Sequence, residues 1–180
     1  MKTKTMWAVA AALCLIGGCV TTSATTSPNA NLGQYRTFSF FQPTSANPKQ
    51  LAFEQSPSGQ VVRDRITSDL QSKGLTLSAD NPDLLVAYHT KTEQKTDVTD
   101  WGYGGYYWGG PGGVTVDQYT QGTLLIDLID PKSKQVVWRG TASAIVNNPE
   151  NPDTGKLASA VDKLMKKFPA EMASASRPTM

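Results

Sequence analysis

A single histidine, His89, stands in the 180 residues. A multi-histidine metal site is therefore impossible, and a Ser-His-Asp triad would have to be built on that residue. His89 follows the apolar run Leu84–Tyr88, where a hydrogen-bonded structural histidine is expected. No serine sits in a Gly-x-Ser-x-Gly elbow. The glycines between Trp101 and Gly113 open no helix and no Gly-Lys-Ser/Thr follows them, so they form no phosphate cradle. Asp97 and Asp100 lack the dense acidic spacing of a calcium loop. Asp130, before Pro131, reads as turn chemistry. Arg139, beside Trp138, is expected to pair with a carboxylate, with Asp127 on the neighbouring strand as the candidate. No catalytic residue, metal ligand or cofactor is assigned, and the chain is read as a non-enzyme. A hydrolase built on His89 ranks last among three functional readings.

The stretch that does suggest a site is aromatic. Seven glycines and five large rings (Trp101, Tyr103, Tyr106, Tyr107 and Trp108) fall within residues 101–113. Glycine at that density cannot fill a core and is costly to order, which points to a loop or hairpin tip. Three readings compete for the rings. They fold back over the sheet, they bind a protein partner, or they lie in a membrane interface or stack on envelope glycans. The glycan platform is the second functional reading.

The N-terminus carries a different chemistry. Lys2 and Lys4 precede the apolar run Met6–Ile16. The run is shorter than the roughly 20 residues a membrane span needs, but it suits the core of an export signal. Leu15-Ile16-Gly17-Gly18-Cys19 resembles a bacterial lipobox. That resemblance implies removal of residues 1–18, acylation of Cys19 at its thiol and then its amine, and stable anchoring by two or three chains. Val20 is not Asp, so the usual inner-membrane retention signal is absent and the resemblance favours the outer membrane, facing the periplasm. Losing Lys2 and Lys4 reduces 17 basic residues to 15, against 15 acidic ones. With Cys14 removed and Cys19 lipidated, no thiol is left for a disulfide. A neutral chain with 18% charged residues is no nucleic-acid binder.

Residues 19–33, rich in Thr, Ser, Ala and Asn without periodicity, read as a flexible tether. A free chain of this length spans roughly 20 Å. One domain is then expected over 34–170, with a frayed tail at 171–180. Tyr35–Phe41 alternates like a half-buried strand, and residues 42–58 read as a loop. Ser56-Pro57 caps a helix over 59–73, with Val62, Ile66 and Leu70 on one stripe. Two long strands from Leu84 and Val114, a third from Gln135, and a final helix from about Asp153 complete the chain. The predicted fold is α+β. It has a mixed, largely antiparallel sheet of about four strands with two helices on one face, in the order β-α-β-β-β-α.

Asn81–Tyr88, Gly122–Leu128 and Val137–Ala142, in that order, resemble the domain of unknown function 4136, a family of bacterial envelope lipoproteins. The resemblance implies a lipid-anchored periplasmic domain and brings no functional residues with it. The leading expectation is a non-catalytic structural or protein-interaction module, attached to the membrane through Cys19.

Overall fold

The computed structural model describes residues 20–42, 48–100 and 114–169. Six strands form one mixed sheet in the order β1-β6-β5-β4-β2-β3. They are β1 Thr21–Thr26, β2 Thr37–Phe40, β3 Thr76–Leu77, β4 Leu84–Asp100, β5 Val114–Asp130 and β6 Gln135–Ile145. Three helices accompany them: α1 Pro48–Gln55, α2 Pro57–Ser72 and α3 Thr154–Met165. This corrects the expected four-stranded sheet with two helices in the order β-α-β-β-β-α.

The differences have physical causes. Segment 21–26, expected to be part of a tether, is an edge strand antiparallel to β6, in register from Thr21 opposite Ser143 to Thr26 opposite Trp138. Its side chains are nearly all exposed. The ladder is made by backbone groups, so no alternation of apolar residues marks it. Helix α1 buries none of its residues fully and so lacks the stripe that reveals a helix in a sequence. Strand β3 is two residues long and pairs in parallel with β2.

The long strands set the frame. β4 and β5 pair antiparallel from Leu85 opposite Ile129 to Asp100 opposite Val114, and β5 pairs with β6 across a bulge at Leu128/Ile129. One face of this sheet carries Phe38, Val86, Ile126, Leu128 and Trp138, and all five are buried in the core. Helices α2 and α3 close over them with Ile66, Leu70, Val161, Leu164 and Phe168. The Phe168 ring meets the Trp138 indole edge-on at 5.4 Å between centroids. Helix α2 starts as its sequence demands: Ser56 Oγ accepts from the Gly59 backbone N–H at 3.2 Å, with Pro57 at the first position. Asp153 caps α3 by accepting from the N–H groups of Gly155 and Lys156.

Gly140 explains how α3 comes so close. A Cβ built there would strike the Trp138 ring and lie 2.9 Å from the Leu164 side chain. The opposite face of the sheet holds Arg139, whose Nε and Nη2 donate to the two carboxylate oxygens of Asp127 at 2.7 Å each. That is the pairing expected from their types and strand positions. Of the apolar run Leu84–Tyr88, Leu85 lies on this face only half-buried, and its neighbour Leu84 takes the core position.

Candidate functional site

Along β4, β5 and β6 the core face changes character. Val86 and Tyr88 give way to Thr90 and Thr92, Leu124 to Gly122, and Trp138 to Gly140, Ala142 and Ala144. Small side chains there leave an open groove of about 600 Å³, within the usual range for small-molecule sites.

Each wall has a local reason to stand where it does. Gly122, Ala142 and Ala144 make the floor. Phe53 forms one side and is held by α1. That helix abuts the first turn of α2 so closely at Gly59 that a Cβ there would overlap the Phe53 carbonyl oxygen. The Phe53 ring packs edge-on against Tyr88 at 6.3 Å, and Gln50 Nε2 donates to the Tyr88 carbonyl at 2.7 Å. Leu157 and Ala160 on the first turns of α3 form the other side. Val146 lies at the end, its backbone N–H donating to the Thr120 carbonyl. Val20, the first described residue, joins the lining where β1 begins.

The rim is polar and carries Asn147, Asn151, Asp153 and Lys156. The Asp153 carboxyl is held below the ordinary carboxylate range, first by the Lys156 backbone N–H. It is therefore committed to capping α3 rather than to proton transfer. Near the groove on β4, Glu93 is pulled down to about 2 by hydrogen bonds from Lys91 and then Lys95. Asp127, the buried carboxylate, is taken up by Arg139 on the face away from the helices. Among the described residues no cluster of His, Cys, Asp and Glu is arranged to hold a metal. No helix among them is long and apolar enough to cross a membrane. The chemistry of the groove is that of apolar contact with a hydrogen-bonding edge.

His89 is exposed on the face away from the helices, where its backbone is paired opposite Leu125 in the ladder between β4 and β5. Cys19, Trp101, Tyr103, Tyr106, Tyr107 and Trp108 lie outside the described residues. The groove residues were not singled out from the sequence. The available signal was the decline in side-chain size along β6, from Trp138 through Gly140 and Ala142 to Ala144. A strand face built of small residues cannot fill the space above it.

Comparison with known proteins places this fold. A family model described as "Domain of unknown function (DUF4136)" matches residues 22–170. Among solved structures, the chain is similar to a PDZ domain protein from Parabacteroides distasonis ATCC 8503, at 16% identity and a TM-score of 0.56. That match covers 84% of this chain and 36% of the other, so this chain spans about a third of that protein's length. It is also similar to a DUF4136 family protein from Bacteroides thetaiotaomicron VPI-5482, at 15% identity and a TM-score of 0.53, covering 84% and 97% of the two chains. At these identities the likeness shows the fold alone. No functionally curated protein matches.

Proposed function

The chain belongs to the DUF4136 family, and from that premise we propose that it is a lipid-anchored protein of the bacterial envelope with a non-catalytic binding role. It sits in the outer membrane on Cys19, faces the periplasm, and takes an apolar ligand in the groove floored by Gly122, Ala142 and Ala144. The observation that carries this reading is the groove itself. It is about 600 Å³ of open space on a sheet face, walled by Phe53, Val146 and Leu157, and the acidic groups around it are already tied to backbone N–H groups or cations. Sites of this kind bind through buried apolar area, with a few polar groups setting orientation.

The sequence supports the anchor. Small residues lead to Cys19 directly after an apolar run, and two or more acyl chains suffice for stable attachment. The test is metabolic labelling with radioactive palmitate followed by membrane fractionation. Label is expected in the mature chain in the outer-membrane fraction, and a Cys19→Ser variant is expected to remain an unlabelled precursor. A normally acylated mature protein in that variant would overturn the reading.

A further inference from the structure

The groove lies next to the site where lipid is proposed to be attached. Val20 lines it and packs against the core, and one peptide unit earlier in the chain stands Cys19. Consecutive Cα atoms are about 3.8 Å apart. Any acyl chain on Cys19 therefore starts within a few ångströms of the groove wall. No long leash intervenes, because β1 begins at Thr21 and is paired with β6 from its first residue, Thr21 opposite Ser143. Val20 immediately precedes that first paired residue, and it lines the groove together with Ala144, the neighbour of Ser143.

We propose that the groove is the seat of one acyl chain of the protein's own lipidated Cys19, so that the domain is clamped to its anchor rather than hung from it. This rests on the reading that Cys19 is acylated. Three observations select this occupant. The chain outside the described residues ends at the groove. The lining at that end is apolar, with Val20, Val146 and Leu157 around a floor of Gly122, Ala142 and Ala144. The carboxylate on the rim, Asp153, faces backbone N–H groups as a helix cap and so does not demand a cationic ligand. A chain that moves from the bilayer into an apolar groove exchanges one apolar surrounding for another, so its methylenes need not be exposed to water in either state. With two or three chains on one cysteine, one can be withdrawn while the others stay in the bilayer.

The experiment uses the full lipoprotein in its own membrane. Cells are fed a fatty acid carrying a photoactivatable diazirine, the mature protein is irradiated in outer-membrane vesicles, and cross-linked peptides are located by mass spectrometry. Intact mass of the Cys19 peptide is read first. Absence of acyl groups there would overturn the anchor reading and this proposal with it. With acylation present, cross-links are expected on the peptides that carry Phe53, Val146 and Leu157. Cross-links only to phospholipid, or spread over other surfaces of the domain, would overturn the proposal while leaving the anchor intact. Ala144→Trp, which fills the floor, is expected to reduce the groove cross-links at least tenfold at equal labelling of Cys19. Leu157→Asp, on the exposed first turn of α3, is a second variant with the same expectation and a different risk to folding. Groove cross-links undiminished in both variants, each folded by circular dichroism, would also overturn the proposal.

Discussion

The face of the sheet that carries Trp138 is closed at one end and open at the other, although β4, β5 and β6 build both. At the closed end Val86, Leu128 and Trp138 lie under Ile66, Leu164 and Phe168, and all are buried. At the open end Thr92, Gly122 and Ala144 lie under nothing larger than the edge of Phe53 and the first turn of α3. The cause is length. β4 and β5 have 17 residues each, roughly 55 Å of extended chain. Helix α2 has 16 residues and α3 has 12, roughly 24 and 18 Å at a helical rise. Helices that short cannot roof strands that long. The groove thus follows from unequal reach, with small side chains on the uncovered strands.

If the two ends differ in this way, matched substitutions should part them. The largest effect is expected from Trp138→Ala, which empties the closed end. A loss of about 3–5 kcal/mol is expected for a fully buried ring of that size, whereas Thr92→Ala at the open end should stay within about 0.5 kcal/mol. Urea unfolding of both variants checks this. Similar losses at the two sites would show that the open end is packed after all.

A smaller and sharper contrast uses the two crowded glycines. At Gly140 an added Cβ meets Trp138 and Leu164, both fully buried in the core, and about 1–3 kcal/mol of overpacking is expected for Gly140→Ala. At Gly122 the added Cβ would lie 2.5 Å from a methyl of Val146. Val146 is only partly buried at the end of the groove and can swing away, so Gly122→Ala should cost about 1 kcal/mol or less. Thermal melts of the two variants decide it, and a reversed order would place the rigid end at the groove.

The smallest effect concerns acid. Asp83 joins β2 to β4 at the closed end. Its Oδ2 accepts from the backbone N–H groups of Arg36 at 2.9 Å and Thr37 at 3.1 Å, and Thr37 Oγ1 accepts from the Asp83 N–H. The Arg36 N–H, foremost, holds this carboxyl below its ordinary value. A group whose folded value is depressed adds stability above its unfolded value and loses it as pH falls through the folded one. The wild type should therefore destabilise below pH about 4 more steeply than Asp83→Asn. Hydrogen exchange in acid should open the Phe38 and Leu84 amides before those of Gly122. Equal acid limbs in the two proteins would remove Asp83 from the account.

Much of the closed end was legible because its signals are local. Ser56-Pro57 marks the start of α2, and the spacing of Val62, Ile66 and Leu70 marks its buried stripe. The alternation of Leu124, Ile126 and Leu128 marks the inner face of β5. The Arg139–Asp127 pair was readable from charge type and strand position, and the close approach at Gly140 from a glycine inside a strand next to a tryptophan. The open end sends weaker signals. Helix α1 has no buried residue to betray it, β1 exposes nearly all of its side chains, and the groove is defined by side chains that are missing rather than present.

By itself the sequence determined which residues avoid water and with what period. That is enough to place α2, α3 and the three long strands, because burial of an apolar stripe or an alternating face is encoded residue by residue. It also puts Cys19 directly after two glycines and an apolar run, and five aromatic rings among the glycines of residues 101–113, which are matters of residue type. Packing in three dimensions was needed to set Thr21–Thr26 in the sheet beside β6, to bring Phe53 of α1 over the sheet, and to put Val20 in the wall of the same groove as Ala144. Those outcomes depend on backbone hydrogen bonds between distant segments and on where helices run out along a longer sheet, and neither leaves a periodic trace in the chain.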